Sequence, residues 1–228
     1  MRYAIYFTPP AENPLTRAGS SWLGRDVFTG VTSDPKVSVE LLRDTTRYGF
    51  HGTLKAPFHL AEGKSEADLV ATFDAFAREQ VPFIMPKLVL GQIGSFFALV
   101  PGEESAEAIH ALSDAAVRTF EPYRAPLAAA DIARRNPEKL APAQKANLLT
   151  WGYPYVLETF RFHMTLTDRI PEADQAELRI RLEGHFADLI DRPLEVAHVA
   201  LFIEPERGAP FTLSRLQPLE GVAAAVDA

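Results

Sequence analysis

The chain contains no cysteine among its 228 residues. That excludes disulfides and thiolate metal sites, and it suits a reducing, cytoplasmic setting. It also lacks the run of roughly eighteen apolar residues that a membrane-spanning helix needs. The N-terminal stretch Met1–Phe7 is apolar for only a few residues and has no small-residue cleavage site, so it reads as a strand rather than a leader. No glycine-rich phosphate loop is present. The six histidines form neither an H-E-x-x-H pair nor an H-x-H beside a carboxylate, so no metal centre and no cofactor are expected. Positive charge is scarce as well. Lys and Arg number 23 against 30 Asp and Glu, giving a net charge of −7 and a pI of about 5.4. Such a balance argues against a long nucleic acid as partner and favours a small phosphorylated substrate met in a local basic pocket.

What is present is ordinary for a globular chain: 47% hydrophobic and 23% charged residues, enough to bury a sizeable core in one large domain or two small lobes. Two short stretches stand out. Phe50-His51-Gly52-Thr53-Leu54 and Phe162-His163-Met164-Thr165-Leu166 both read Phe-His-x-Thr-Leu. Each lies in a run expected to form a strand, where side chains alternate faces. His51 and Thr53 then share one face and Phe50, Gly52 and Leu54 the other; His163 and Thr165 repeat the pattern against Phe162, Met164 and Leu166. Apolar faces belong in a core, and His/Thr faces make sense lining a groove. Two imidazoles and two hydroxyls around one cavity suit proton transfer at phosphorus. One imidazole takes a proton, the other gives one, and the hydroxyls hold phosphoryl oxygens.

Paired H-x-T motifs in a chain of this size resemble the 2H phosphoesterase superfamily, whose members open cyclic phosphodiesters without metal. The stretches Tyr48–Phe58, Trp151–Val156 and Phe160–Thr167 are similar to the branch of that superfamily associated with phosphonate breakdown. Gly52 stands where that branch has Ala, on the core side. The resemblance implies an α+β fold of two similar lobes, each a small antiparallel sheet with helices outside, facing a central groove that holds His51, Thr53, His163 and Thr165. Alternatives of the same chemistry are RNA-end processing or ligase-like action on a 2′,3′-cyclic phosphate. An alternative of another class is a binder of a phosphorylated metabolite.

Element order supports a duplication. A first strand spans 2–8. A helix follows from Asn13-Pro14 to Leu23, ended by Gly24. A short helix spans 36–46. After the first motif come a helix at 65–80, capped by Ser65, and strands at 82–93 and 95–100. After the second motif come a helix at 172–190 and strands at 194–204 and 210–217. The repeats thus fall around 48–101 and 160–218 within a single bilobal domain of 1–228. Between them lie a helix at 103–121 and shorter helices at 126–135 and 138–150. The region 124–150 reads as an insertion, either a cap over the groove or a bridge clear of it.

Further candidates surround the motifs. Lys55 follows Thr53 by two residues, so it either faces the groove and offsets phosphate charge or is a solvated strand-end lysine. Thr167 holds the matching position in the second copy. Tyr6, Tyr48, Tyr153 and Tyr155 either line the pocket or pack in the core. Arg2, Arg47 and Arg161 are candidates for phosphate contacts. Arg134, Arg135 and Lys139, with Lys55, are candidates for a second, terminal phosphate. His59, His110 and His185 read as solvated and His198 as a core histidine.

Overall fold

Strand β1 (Arg2–Phe7) sets the two faces of the molecule. Tyr3, Ile5 and Phe7 enter the main hydrophobic core, whereas Ala4 and Tyr6 join a smaller cluster with Val27, Ala200, Phe202 and Phe211. This is the period-two alternation of a strand buried on both sides. A computed structural model describes residues 1–102 and 106–222. Its other strands are β2 (Gly52–Phe58), β3 (Phe83–Met85), β4 (Leu88–Ile93), β5 (Phe96–Pro101), β6 (Met164–Thr165), β7 (Leu194–Val196), β8 (His198–Glu204) and β9 (Thr212–Pro218). The expected antiparallel α+β architecture forms. Seven strands are hydrogen-bonded in the order β4, β5, β6, β2, β1, β8, β9, and β3 pairs with β7 apart from them. The two motif strands are neighbours, joined by the single pair Gly52↔Met164.

Helices α1 (Pro14–Leu23), α3 (Glu66–Glu79), α4 (Glu107–Phe120) and α7 (Glu172–Phe186) cover one side of the sheet; α2 (Arg43–Tyr48), α5 (Ala129–Ala133) and α6 (Pro142–Trp151) complete the set. Each covering helix turns an apolar stripe inward: Leu15, Trp22 and Leu23; Leu69, Phe73 and Phe76; Ile109, Leu112, Ala116 and Phe120; Leu178, Leu182 and Phe186. Each such side chain, fully buried, contributes about 1.5–3 kcal/mol. Local chemistry fixes the helix starts. The Asn13 side chain accepts from the Leu15 amide with Pro14 next in line, and the Ser65 hydroxyl accepts from the Asp68 amide.

Several boundaries differ from expectation, each with a cause. The helix expected over 36–46 is split into a 3₁₀ turn, Val39–Leu41, and α2. The Asp168 carboxylate accepts from the Asp44 and Thr45 amides, both at 2.9 Å, and so starts a new helix at Arg43. The strand expected over 82–93 breaks at Pro86, which has no amide to donate. The strand expected over 162–167 shortens to Met164–Thr165, because the Phe97 amide turns to the Thr167 hydroxyl (2.9 Å) instead of a main-chain carbonyl. Of the helix expected over 103–121, residues 103–105 lie outside the described residues, and the rest is α4. The helix over 126–135 contracts to α5. That over 138–150 becomes a 3₁₀ turn, Pro137–Lys139, followed by α6.

The order motif strand, helix, short strand, hairpin occurs twice, as β2-α3-β3-β4-β5 and β6-α7-β7-β8-β9. The hairpins are exchanged in space. The β4–β5 hairpin lies beside β6, and the β8–β9 hairpin lies on the β2 side, next to β1.

Candidate active site

Both motif histidines sit one residue before their strands begin. There the ring can turn back onto the chain. His51 Nδ1 donates to the Gly49 carbonyl at 2.9 Å, and His163 Nδ1 donates to the Arg161 carbonyl at 2.8 Å. The two copies thus share one device: a carbonyl two residues upstream ties Nδ1, leaving Nε2 of each ring to accept a proton when neutral or give one when protonated. At the first copy the device depends on Gly49. Its φ is +75°, and a Cβ there would stand 2.0 Å from Val27 Cγ1. The Thr53 hydroxyl lies 3.3 Å from His51 Nε2. The imidazole of His51 stacks on Tyr6, with ring centres 3.9 Å apart and an angle of 25°. Burial pulls His51 down from 6.5 to about 4, against the opposing Gly49 hydrogen bond, and the charge of His163 pulls it further the same way. Burial also lowers His163, with its bond to Arg161 opposing.

A cavity of about 550 Å³ opens over this face, away from the covering helices. Tyr6, Tyr48, His51, Thr53, Tyr153, Thr165 and Thr167 line it. His163 lines a narrow annex of about 20 Å³ with Tyr155 and Arg161, and Thr53 and Tyr153 belong to both. The structure therefore brings His51 and the three threonine candidates into the groove with Tyr6, Tyr48 and Tyr153, and it sets His163, Tyr155 and Arg161 at the edge. Thr167 is buried, and its hydroxyl already accepts from Phe97. Tyr153 and Tyr155 meet edge to face at 5.7 Å.

Lys55 corrects the expectation. It does not face the groove but lies on the core side, 3% exposed, with Nζ donating to the Val117 carbonyl (3.0 Å) and the Glu121 carboxylate (2.9 Å). The cause is a bulge. Thr53 pairs with Tyr6 but Lys55 pairs with Ile5, so β2 carries one residue more than β1 and the alternation flips. Burial lowers the Lys55 pKa, with Glu121 holding it up. His185 also differs, packing against Trp22 and Phe186 with a ring nitrogen on the Ala18 carbonyl (2.9 Å).

Sequence reasoning missed Asp168, whose carboxylate holds the Asp44 and Thr45 amides and the Thr45 hydroxyl (2.6 Å) and so fixes α2, Tyr48 and Gly49 beside His51. Its place three residues after Thr165 is the one signal that pointed to it. Residues between the repeats do reach the groove: Arg135, just after α5, and Tyr153, just after α6, line it. A second cavity, of about 670 Å³, shares the Asp44, Tyr48, Ala56, Pro57 and Arg135 wall and is lined by arginines. Arg2, Arg47, Arg134 and Arg135 lie there, and Lys139 lines neither cavity. Among the described residues no three His, Asp or Glu side chains cluster as a metal site, and no helix is long and apolar enough to cross a membrane.

Comparison with known proteins places the chain among relatives. It is 37% identical over 232 residues to the ribose 1,5-bisphosphate phosphokinase PhnN of Janthinobacterium sp. (strain Marseille), covering 96% of this chain and 51% of that protein. It is 36% identical to the protein of the same name from Laribacter hongkongensis (strain HLHK9), covering 95% of this chain and 51% of that one. The chain thus spans about half the length of the curated relatives it matches. Among solved structures, TT0787 of Thermus thermophilus is similar in fold, with a TM-score of 0.50 and 16% identity over 97% of this chain and 99% of that one. A profile for the family described as "Protein of unknown function (DUF1045)" matches residues 53–212, from the first motif threonine to the last strand, and the chain belongs to that family.

Proposed function

We propose that the chain is a phosphoesterase that opens a small cyclic phosphodiester by two-histidine acid–base catalysis, with His51, Thr53, His163 and Thr165 as the working groups. The observation that carries this reading is the repeated device at the two imidazoles: each Nδ1 is tied to a carbonyl two residues upstream and each Nε2 is left to exchange a proton. His51, pulled down to about 4 by burial, stays neutral and takes a proton from water. The water oxygen bonds to phosphorus. His163 carries the pair's single proton and delivers it to the departing alkoxide as the P–O bond breaks. The Thr53 and Thr165 hydroxyls donate to the phosphoryl oxygens as charge gathers there. The Thr53 hydroxyl, 3.3 Å from His51 Nε2, lies beside the nitrogen that takes the proton. Tyr48 and Tyr153 flank the sugar, Thr167 lines the groove with them, and Arg161 and Tyr155 frame the edge.

For substrate we propose a ribosyl 1,2-cyclic phosphate of phosphonate breakdown carrying a 5-phosphate. Hydrolysis at O2 leaves phosphate on C1 and C5, which is ribose 1,5-bisphosphate, the compound in the relatives' name. The resemblance of the motif regions to the phosphonate-associated branch supports the same reading.

A panel of cyclic phosphates assayed with EDTA present tests it. The expected result is metal-independent turnover, with kcat/KM higher for the ribosyl 1,2-cyclic phosphate than for nucleoside 2′,3′-cyclic phosphates and with ribose 1,5-bisphosphate as product. A preference for the nucleoside or for a 2′,5′-linked oligonucleotide would move the protein to RNA processing, and activity restored only by added zinc or manganese would overturn the mechanism.

A further inference from the structure

The second cavity has a composition that the fold alone does not account for. In a chain of net charge −7, seven arginines line one hollow of about 670 Å³. Asp44 also lines it, 3.8 Å from Arg47, and three further carboxylates around it each hold two cations. Glu204, fully buried, binds Arg2 and, at 2.8 Å, Arg47. Asp131 binds Arg134 and, at 2.9 Å, Arg207. Glu121 binds Arg124 and, at 2.9 Å, Lys55. Sharing one carboxylate between two cations fixes the guanidinium groups in place while leaving an excess of positive charge. Arg43 and Arg135 add to that excess, since neither makes an ion pair among the described residues. Like charges held this close repel one another, and an anion between them relieves the repulsion. Fixed, planar guanidinium groups match the paired oxygens of a phosphate or a carboxylate, and the excess of positive charge favours the more highly charged phosphate.

The cavity is also placed for a purpose. It shares Asp44, Tyr48, Ala56, Pro57 and Arg135 with the groove that holds His51. At that common wall the arginines lie over the tyrosines, Arg47 at 4.3 Å from the Tyr48 ring and Arg135 at 4.9 Å from the Tyr153 ring. One small molecule can therefore reach both hollows across the two rings.

We propose that this arginine-lined cavity is a subsite for a second phosphate, a monoester on the same substrate whose cyclic phosphate lies at His51. The proposal rests on the acid–base reading of the groove. A monoester carries close to two negative charges at neutral pH, against one for a diester, so a net-positive hollow selects it. The subsite makes the preferred substrate a sugar bearing both a cyclic phosphodiester and a terminal phosphate. Binding of the terminal group is present in ground and transition states alike, so it acts on KM.

The test uses two probes. Ribose 5-phosphate is titrated calorimetrically into wild type, Arg43→Ala/Arg135→Ala and His51→Ala. Both arginines are exposed, so the double variant should keep its fold, which its Tm checks. The expected result is binding to wild type and His51→Ala alike and at least tenfold weaker binding to the arginine variant. In parallel, KM is compared for ribose 1,2-cyclic phosphate with and without the 5-phosphate. The 5-phosphate should lower KM about tenfold or more in wild type and much less in the arginine variant. Equal KM values, or ribose 5-phosphate binding that is absent or indifferent to the arginines, would overturn the subsite while leaving catalysis standing. Tighter binding of an oligonucleotide without a terminal phosphate, abolished by the arginine substitutions, would overturn it in favour of a backbone-binding groove. No turnover of any cyclic phosphate, with arginine-dependent binding intact, would instead overturn the reading of the groove.

Discussion

At the scale of single residues, the site depends on two backbone carbonyls and on the room made for one aromatic ring. The Gly49 and Arg161 carbonyls fix both imidazoles, and burial lowers the pKa of each, that of His51 to about 4. That burial has a consequence for stability. His51 has a folded pKa of about 4 against 6.5 in the unfolded chain. Between these values the unfolded state binds more protons, so stability rises with pH across the window and falls on acidification through it. His51→Gln removes this contribution. The urea midpoint of wild type relative to His51→Gln should therefore drop as pH falls from 6.5 towards 4; a difference that stays flat would show that His51 is not held neutral. Gly52 supplies the room. A Cβ there would stand 2.5 Å from Phe162 Cε2 and Cζ, and Phe162 is buried immediately before His163. Gly52→Ala should cost about 1–3 kcal/mol through overpacking and should slow turnover by displacing His163. Unchanged Tm and unchanged rate would mean that the ring moves aside freely.

At the scale of elements, the motif strands were legible because a period-two pattern occurs twice with the same flanking residues, and the helices because their apolar stripes and caps are local. The bulge in β2 was not legible. Whether β2 carries an extra residue depends on its pairing with β1, which no window of the sequence records, and so Lys55 was expected on the wrong face. The exchange of hairpins between the two motif strands was hidden for the same reason. We propose that the two strand sets are lobes of a duplicated fold, with residues 124–150 inserted between them as part of the groove wall. Lys55 now has a structural role, tying β2 to α4 and the turn after it through Val117 and Glu121. Lys55→Ala should cost at least about 2 kcal/mol, from lost packing and a broken buried pair. By chemical denaturation the loss should appear in the midpoint, while KM stays near the wild-type value. A large rise in KM with intact stability would return Lys55 to substrate binding.

At the scale of the whole molecule, an acidic chain concentrates its positive charge beside one groove. Arg2, Arg47, Arg134 and Arg135 were legible as single candidates for phosphate contacts, but not that they share one hollow with Arg43, Arg124 and Arg207. Only the folded chain brings them together. The same holds for the site as a whole: each H-x-T copy and a groove common to both were expected from the sequence, while the seam they form within one seven-stranded sheet was not. The central claim is that the two copies act as a unit on one phosphate. A double-mutant cycle on hydrolysis of the ribosyl 1,2-cyclic phosphate measures this most directly. His51→Ala and His163→Ala should each lower kcat about a hundredfold or more, and the double variant should lose little beyond the worse single one, because either loss already disables the pair. A single variant that keeps near-wild-type kcat, or losses that simply multiply in the double variant, would contradict it.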